Sequence, residues 1–312
     1  MTLKKIVYPI APSRLNNETW DKILDFIRKQ GCTPFDHRRG APFDDFELKL
    51  GREKTLLFLK NIMTQCDAAW VFGISEGGMG EFKSALDMRD AGSPIEILCF
   101  YDFDPEWEKY YEKLKPKFGD LISRLRGSNR LIALVGSRAV GKTFWADQLI
   151  ATYGEKLARV KNTTTRSPRN ERDHLTYNFV SEEEFARGVE SGNFLEHDLY
   201  NGAHYGSSMS SIREVLANHH GIFAVTPNGA KELYRRRFEL NLTIIFLKTE
   251  SEEILLHHLI KRGIVDPNEQ AKFLLESEQF SLPENIPHQI IAISDDPIID
   301  HKRLLSIIDV LP

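Results

Sequence analysis

The chain has 312 residues, of which 41% are hydrophobic and 28% are charged, and this composition excludes a disordered or low-complexity protein. Lys and Arg total 41 against 45 Asp and Glu, so the net charge of -4 argues against a general nucleic-acid binder or a binder of acidic membranes. The three cysteines lack C-x-x-C spacing, which disfavours a disulfide framework and a cysteine zinc site and favours a reducing compartment. Since we find neither a signal peptide nor an apolar stretch of about 18 residues, we expect a cytoplasmic protein of two domains.

Strand and helix patterns alternate along the first hundred residues. Apolar residues predict a strand at 5–10 that ends near Pro9, followed by a helix with Asn17 as its N-cap. Residues 37–51 are polar and rich in turn formers, so we expect a loop there. This alternation predicts a parallel sheet with helices on both faces. The elements expected after the loop are a helix at 52–65, a strand at 68–72, a glycine-rich turn at 73–80, a helix at about 80–90 and a strand at 95–100.

A second α/β series follows a linker near residues 127–129. Residues 101–128 are rich in charged and aromatic side chains and predict one or two surface helices before that linker. The composition and the linker place the boundary between two different α/β domains, 1–126 and 127–312. The second series is expected to have strands at 131–135, 222–226, 242–247 and 289–293, and helices at about 142–153, 251–262, 269–279 and 298–309.

Residues 136–143 match the pattern G-x-x-x-x-G-K-[ST] between a predicted strand and a predicted helix. Glycines let the backbone N–H groups point at phosphate oxygens, and the helix N-terminus adds the positive end of its dipole. We predict that Lys142 reaches the outer phosphates and that Thr143 ligates Mg²⁺. A glycine-rich turn with an incidental lysine is the alternative, which the strand–loop–helix context disfavours. The predicted ATP-binding residues of the loop are Gly136, Ser137, Arg138, Ala139, Val140, Gly141, Lys142 and Thr143.

Two arginines and several hydroxyl groups follow this loop in a region that suits a second nucleotide. Arg166 and Arg169 are suited to bidentate binding of a phosphate, and Tyr177 and Tyr205 can donate hydrogen bonds to its oxygens. Glu196 can accept two hydrogen bonds from the edge of a base. The alternatives are a solvated charged face for the arginines, a surface carboxylate for Glu196 and aromatic residues at the edge of the core for the tyrosines.

Four motifs occur in a fixed order: Thr-Thr-Arg-x-Pro-Arg at 164–169, Tyr-x-Phe at 177–179, Gly-x-Phe-Leu-Glu at 192–196 and Tyr-Gly-Ser at 205–207. In this order and spacing, residues 130–312 resemble guanylate kinases. The resemblance implies a P-loop kinase fold, ATP and Mg²⁺ as cofactors, and a nucleoside monophosphate as the phosphoryl acceptor. It implies that the acceptor is bound by Asn162, Arg166, Arg169, Tyr177, Glu196, Tyr205 and Ser207, with Glu196 and Ser207 at the base.

The same resemblance implies a catalytic and an adenine-binding set. Arg262 resembles the lid arginine that closes on ATP, and with Lys142 and Arg138 it is a candidate stabiliser of the transferred charge. Ser294, followed by two aspartates, resembles the segment near the adenine.

Several positions depart from the guanylate kinase pattern. Asn162 stands where the family usually has serine, and Ala224 and Thr226 stand where it has two acidic residues on a central strand. A second lid arginine falls on Phe273, and the segment after Arg169 is one residue short. These differences weaken the expectation that the acceptor base is guanine, and they predict slower phosphoryl transfer. A kinase-like domain that binds peptides without catalysis is disfavoured, because the lysine and the threonine of the phosphate-binding loop are present.

Residues 75–85 follow a predicted strand, at the place where ligands bind in open α/β sheets. Taken alone, Glu81 fits a carboxylate that stabilises the first turn of a helix. Residues 4–100 nevertheless resemble the nucleoside 2-deoxyribosyltransferase family and its deoxynucleotide N-hydrolase branch. The resemblance is carried by Ser75, Gly77, Glu81 and Ala85, by Ser13-Arg14, by Asp36-His37 and by Cys66-Asp67.

This second resemblance implies a flavodoxin-like or Rossmann-like domain in which Glu81 attacks C1′ of a deoxyribose and Ser75 and Arg14 hold a 5′-phosphate. The family's second catalytic acid falls on Leu59, and His37 is either its substitute or a structural histidine. By analogy with the family we expect a homo-oligomer formed through this domain. The candidate site comprises Ser13, Arg14, His37, Ser75, Gly77 and Glu81.

Three functions remain open on the sequence alone. The first is an ATP-dependent kinase for GMP, dGMP or a related monophosphate, and the second is a bifunctional enzyme that also cleaves the N-glycosidic bond of a nucleotide, or does mainly that. The third is a nucleotide-sensing regulatory protein with a degenerate kinase domain, which the loss of acids at 224 and 226 supports. In each case the partners are small-molecule nucleotides.

Overall fold

The computed structural model describes residues 4–40, 48–73, 75–100, 103–200, 202–237 and 239–308. The chain divides into two compact units, residues 1–126 and 127–312. Within the described ranges, no helix is both long enough and apolar enough to cross a membrane. The three cysteines form no disulfide bond among the residues described. Part of the loop predicted at 37–51 lies outside the described residues.

A four-stranded parallel sheet lies at the centre of the first unit, so the parallel sheet predicted from the sequence is confirmed there. Its strands are β1 (Ile6–Ile10), β2 (Thr33–Pro34), β3 (Ala68–Val71) and β4 (Glu96–Cys99), in the order β2-β1-β3-β4. The helices of this unit include α1 (Asn17–Lys29), α2 (His37–Gly40), α3 (Arg52–Met63), α4 (Glu76–Asp90) and α5 (Trp107–Arg126).

The first strand ends at Ile10, as predicted, one residue past Pro9. Within this strand Pro9 is in register with Trp70 of β3. On its other side β1 pairs with β2 only through Ile6 and Val7, so Pro9 lies beyond that ladder. A proline is tolerated in a strand where no partner requires its missing backbone N–H, which explains how the strand continues.

Two helices of the first unit begin earlier than predicted. The cap of α1 is Asn16 rather than Asn17. The start of α4 differs more, because Ser75 Oγ accepts a hydrogen bond from the Gly78 backbone N–H at 3.1 Å. Most of the predicted glycine-rich turn is therefore helical, and Glu81 lies in the second turn of α4 instead of opening it.

A single helix, α5, covers the region predicted as one or two surface helices, and it contains Pro116. One side of this helix is part of the core, since Tyr111 and Leu114 are buried. Asp104, counted from the sequence among the surface charges, is also buried and pairs with Arg14. The prediction of a surface helix is thus confirmed, with one buried face whose positions are separated in the sequence by charged residues.

The second unit contains a five-stranded parallel sheet, which confirms the predicted second α/β series. Alternate residues of its central strand enter two apolar clusters: Leu131 and Ala133 belong to one, and Ile132 and Leu134 to the other. Both faces of this sheet are thus covered. Its strands are β5 (Arg130–Gly136), β6 (Leu157–Arg159), β11 (His220–Ala224), β12 (Asn241–Thr249) and β13 (Gln289–Ile293), in the order β13-β12-β5-β11-β6.

A second, four-stranded sheet in this unit was not predicted from the sequence. Its strands are short and polar, so they lack the apolar runs that mark a buried strand. Strand β10 pairs antiparallel with both of its neighbours. The strands are β7 (Asn162–Thr164), β8 (Tyr177–Phe179), β9 (Phe194–Tyr200) and β10 (Ala203–Ser208), in the order β8-β7-β10-β9.

The helices of the second unit include three that the sequence analysis missed: α7 (Glu182–Glu190), α8 (Met209–Leu216) and α9 (Pro227–Arg235). The first of these carries a readable signal, because Ser181 and Glu184 form a capping box at its start. Four further helices lie close to their predicted positions: α6 (Lys142–Tyr153), α10 (Glu252–Lys261), α11 (Pro267–Gln279) and α12 (Pro297–Ile308).

We predict that Gly136→Ala destabilises the second unit more than Gly154→Ala does. Gly154 has a φ of +57° with a ψ of -132° and open space around it, so alanine there costs only the strain of this glycine-favoured backbone conformation, about 1–3 kcal/mol. At Gly136, φ is +156° and a Cβ atom would lie 2.6 Å from the backbone oxygen of Leu247, which adds about 1–3 kcal/mol. Calorimetric unfolding of both variants measures the difference, and equal shifts in Tm would contradict it.

Candidate active site

A strand–loop–helix turn from β5 to α6 forms the floor of the site. The loop leaves the sheet at Gly136, whose close approach to Leu247 on β12 excludes a side chain. Gly141 has a φ of +101°, and Ala139 adopts a left-handed φ of +66° although it is not a glycine. This backbone geometry directs the loop around the start of α6, where free helix N–H groups and the positive end of the dipole favour an anion.

Lys142 lies at the start of α6, and its side chain folds back onto the loop. Its Nζ donates hydrogen bonds to the backbone oxygens of Gly136 at 2.7 Å and Ser137 at 2.9 Å. Burial, assisted by the charge of Arg262, lowers the pKa of the Lys142 ammonium to about 8. A negative group at this place would offset that cost, so the lysine favours binding of a phosphate.

A cavity of about 350 Å³ joins the loop to the residues expected to bind an acceptor. The structure thereby brings together, around one cavity, two sets of side chains that are far apart in the sequence. Of the predicted loop residues, Val140 is fully buried in the core beneath the cavity, and Ser137 is buried and accepts a hydrogen bond from Ser277. The predicted residues that line the cavity are Gly136, Arg138, Ala139, Gly141, Lys142, Thr143, Asn162, Arg166, Arg169, Tyr177, Glu196, Tyr205 and Arg262.

Arg166 is held by a carboxylate that sequence analysis did not single out. Its Nη1 donates to Asp173 Oδ2 at 2.8 Å, and the same oxygen accepts the backbone N–H of Arg169 at 2.7 Å. The Arg166 guanidinium keeps the pKa of Asp173 below its usual value. The Arg166 guanidinium also lies over the rings of Tyr177 and Phe179, at 4.9 and 5.5 Å from their centroids. These contacts fix the guanidinium at the cavity.

A chain of hydrogen bonds connects the Glu196 carboxylate to the core sheet. Ser207 Oγ lies 2.9 Å from Glu196 Oε1 and 3.0 Å from Asn162 Oδ1, and Asn162 Nδ2 donates to the backbone oxygen of Ala224 at 2.8 Å. Thr226 Oγ1 donates to the other Glu196 oxygen at 3.4 Å. Burial raises the pKa of Glu196. Each oxygen of Glu196 thus contacts one hydroxyl, that of Ser207 or that of Thr226.

The departures from the guanylate kinase pattern have definite structural roles. Asn162 bridges Ser207 to the carbonyl of Ala224, so the alanine contributes through its backbone. Thr226 caps α9 by accepting the Gly229 N–H at 3.0 Å. A Cβ on Gly229 would lie 2.9 Å from Glu196 Cδ, so this glycine lets the start of α9 approach the carboxylate.

Three arginines converge on the phosphate side of the cavity. Burial, with the charges of Arg138 and Arg169, lowers the pKa of Arg262. A second cavity of about 400 Å³ lies on the other side of the loop and includes Ser294 and Asp300 in its lining. The Ser294 hydroxyl donates to Asp300 Oδ1 at 3.0 Å, which fixes its position. The predicted adenine residue thus lies in a cavity adjacent to the loop.

A separate cluster lies in the first unit. Tyr8 on β1 donates its hydroxyl proton to Glu81 Oε1 at 2.8 Å, and its ring stacks on His37 at 5.1 Å between centroids. Burial raises the pKa of Glu81 to about 7 and lowers that of His37 to about 4. His37 Nδ1 is buried without a hydrogen-bond partner. Sequence analysis missed Tyr8, although a tyrosine on the first strand of the sheet was a readable signal.

The remaining predicted residues of the first unit lie in other surroundings. Arg14 pairs with Asp104, lies 3.8 Å from a Glu106 oxygen and stacks on the Tyr110 ring at 3.7 Å. Its charge is therefore balanced by acidic side chains. Ser13 and Gly77 are exposed, and Ser75 serves as the cap of α4. Leu59, at the position of the family's second acid, is buried in the core.

The profile of the guanylate kinase family matches residues 128–284. Guanylate kinase of Helicobacter pylori (strain ATCC 700392 / 26695) is 36% identical over 138 residues, which are 43% of this chain and 64% of that protein, so less than two thirds of its length is covered. Guanylate kinase of Bifidobacterium longum (strain NCC 2705) is 36% identical over 152 residues, 47% of this chain and 77% of that protein. A crystal structure of guanylate kinase from Anaplasma phagocytophilum aligns over 59% of this chain and 87% of its own, with 20% identity and a TM-score of 0.43.

We predict that the affinity for sulfate, a dianion that does not titrate near neutral pH, falls as the pH rises above about 8. Bound sulfate favours the charged lysine, so the pKa of Lys142 is higher in the complex than in the free protein. Between these two pKa values binding takes up a proton, and the affinity decreases by up to about tenfold per pH unit. Calorimetric titration from pH 7 to 9.5 measures this dependence. In the control, Lys142→Ala, binding is weaker and constant over this range, and a constant wild-type affinity would contradict the prediction.

Proposed function

Because the chain belongs to the guanylate kinase family through residues 128–284, we propose that its second unit transfers a phosphoryl group from ATP to a nucleoside monophosphate. The observation that carries the proposal is the single cavity shared by the loop lysine and the acceptor arginines. Two phosphate-binding sets around one cavity suit a reaction between two phosphate groups. On this proposal residues 127–312 are the kinase domain.

The phosphate-binding loop holds the donor. The N–H groups at the start of α6 and the ammonium of Lys142 bind the outer phosphates, while Arg138 and Arg262 stabilise negative charge on the transferred group. The residues present fit Mg²⁺, because the Thr143 hydroxyl lies at the cavity and offers an oxygen ligand. Bound Mg²⁺ would neutralise phosphate charge, with water and phosphate oxygens as its other ligands.

The acceptor side works by positioning. Arg166 and Arg169 bind the 5′-phosphate, and the hydroxyls of Tyr177 and Tyr205 donate to its oxygens. Because Asp173 accepts a hydrogen bond from Arg166, the guanidinium is already oriented before the phosphate binds. On binding, Arg166 exchanges part of this contact for the phosphate. Holding both reactants in line supplies much of the rate acceleration, and no covalent intermediate is required.

The base of the acceptor lies against Glu196. Its carboxylate can accept two N–H donors from one edge of a guanine-type base, and Ser207 and Thr226 hold that carboxylate in place. Thr226 offers a hydroxyl where the guanylate kinase pattern has an acidic residue. Among Glu196, Ser207 and Thr226, only Glu196 is therefore an acid. We therefore propose GMP, dGMP or a monophosphate with a related base as the acceptor.

The kinase proposal predicts formation of a nucleoside diphosphate when the full-length protein is incubated with ATP, Mg²⁺ and a panel of ribo- and deoxynucleoside monophosphates. Chromatography of the products identifies the acceptor. Lys142→Ala should reduce kcat at least 100-fold, because about 3 kcal/mol of transition-state stabilisation is lost with the charge. A matched control is Lys156→Ala, which removes a lysine beyond the end of α6. A folded wild-type protein that forms no diphosphate would contradict the proposal and favour a nucleotide-sensing role.

For the first unit, residues 1–126, we propose a second activity: cleavage of the N-glycosidic bond of a deoxynucleotide by a 2-deoxyribosyltransferase-like domain. The observation that favours it is the Tyr8–Glu81 pair beside the buried His37. Glu81 would attack C1′ as the N-glycosidic bond breaks, and the base would leave with the bonding electron pair and take a proton from water. A second water would then hydrolyse the glycosyl-enzyme and release Glu81. The phenol of Tyr8 holds one carboxylate oxygen, which leaves the other to attack. As part of this proposal the protein acts on small-molecule nucleotides in the cytoplasm and forms a homo-oligomer through this unit.

The hydrolase proposal predicts release of free base from a deoxynucleoside monophosphate, with a rate that rises as the pH increases through about 7. The rise follows from the pKa of Glu81, since only the ionised carboxylate is a nucleophile. Glu81→Ala should abolish base release, and Tyr8→Phe should reduce it and move the pH profile. Kinase activity measured in the same samples is the control. Base release that is unchanged in Glu81→Ala would exclude Glu81 as the nucleophile.

A further inference from the structure

The helices α10 and α11 are packed directly onto the phosphate-binding loop. Ala139, at the left-handed position of the loop, belongs to an apolar cluster with side chains of both helices and of the turn between them. The most bulky member from α11 is Phe273, which is only 5% exposed. The cluster consists of Ala139, Leu255, Leu259, Ile264 and Phe273.

Two polar contacts hold the same helices to the loop. Ser277 on α11 donates a hydrogen bond from its hydroxyl to Ser137 Oγ at 2.9 Å. His258 on α10 lies 3.2 Å from the backbone oxygen of Ala139 through its Nδ1. The two contacts lie on either side of Arg138, one at Ser137 and one at Ala139. Together they fix the positions of α11 and α10 relative to Arg138.

The ring of Phe273 lies against the guanidinium of Arg138. The Cζ atom of Arg138 is 4.4 Å from the ring centroid, a distance at which the negative face of an aromatic ring attracts a cation. Arg138 also lines the phosphate cavity. The ring of Phe273 therefore contacts the Arg138 guanidinium, and the same arginine lines the cavity in which we expect the phosphates to bind.

The contact between Phe273 and Arg138 matters because a neighbouring cation repels the Arg138 guanidinium. The charge of Arg138 lowers the pKa of Arg262, which shows that the two cations repel each other in the described structure. Without a ligand, repulsion from Arg262 would favour a rotamer of Arg138 that points away from the cavity that both residues line. An aromatic face that attracts the guanidinium opposes this displacement without adding another charge.

We infer that Phe273 is a positioning residue: its ring holds the Arg138 guanidinium at the phosphate cavity, beside Arg262, and links the packing of α11 to phosphoryl transfer. The inference rests on the proposed kinase function. An aliphatic side chain of similar volume fills the apolar cluster but lacks the negative ring face, so it separates packing from positioning. A tyrosine retains the ring face.

The test compares Phe273→Leu with Phe273→Tyr in the full-length protein, by steady-state kinetics with ATP and the best acceptor. Phe273→Leu should lower kcat by about 3- to 30-fold, the range that corresponds to the strength of such contacts, while KM for the acceptor changes little. Phe273→Tyr should keep most of the wild-type kcat. Arg138→Ala should lose at least as much as Phe273→Leu, and the double variant should lose no more than Arg138→Ala alone.

A packing control separates this role from general stability. Ile264→Val removes a methylene from the same cluster, and its Tm and kcat show what loosened packing alone does. The inference is overturned if Ile264→Val loses as much kcat as Phe273→Leu, if Phe273→Leu and Arg138→Ala combine additively, or if tyrosine fails to restore activity.

Failure of the proposed kinase function has a different result. In that case the wild-type protein forms no diphosphate with any acceptor, and the same five variants are compared by calorimetric titration with ATP. Phe273→Leu and Arg138→Ala should then each weaken ATP binding by about 3- to 30-fold, whereas Phe273→Tyr should bind ATP nearly as the wild type does. Wild-type affinity in Phe273→Leu would overturn the inference.

Discussion

The concentration of positive charge at the start of α6 is the constraint on which the site depends. Lys142 donates to two loop carbonyls at 2.7 and 2.9 Å, and its pKa is lowered to about 8. Arg262 and the neighbouring arginines add to the same field. Cations that lie close together repel each other, so other groups of the protein must hold each of them in place. The partner that does so differs from one cation to the next.

Three kinds of partner hold the cations. Backbone carbonyls hold Lys142, the carboxylate of Asp173 holds Arg166, and the aromatic ring of Phe273 holds Arg138. Of these three partners only the carboxylate carries a full negative charge, so the carbonyls and the ring hold their cations without neutralising them. The first unit shows the opposite arrangement, because Arg14 there is paired with acidic side chains and its charge is largely balanced.

Much of the framework was predictable because it is encoded locally. The phosphate-binding loop and the parallel sheets follow from apolar runs and from glycine and lysine at fixed spacing. The mixed four-stranded sheet escaped prediction because its strands are short and polar and pair with strands distant in the chain. Tyr8 lies on the first strand, but its role depends on Glu81, which only the fold brings close. Asp173 lies seven residues after Arg166, and no spacing pattern marks it as the partner of that arginine. The start of α4 was misplaced because glycines suggest a turn, whereas the hydroxyl of Ser75 caps a helix.

The bridge made by Asn162 has a mechanical consequence for the second unit. Its side chain joins Ser207 of the four-stranded mixed sheet to the Ala224 carbonyl at the end of a strand of the parallel sheet. Separation of the two sheets at this point would break the 2.8 Å hydrogen bond to Ala224 and displace the Ser207 hydroxyl that contacts Glu196. The residue that departs from the serine of the guanylate kinase pattern is therefore a mechanical link between the two sheets beside the cavity.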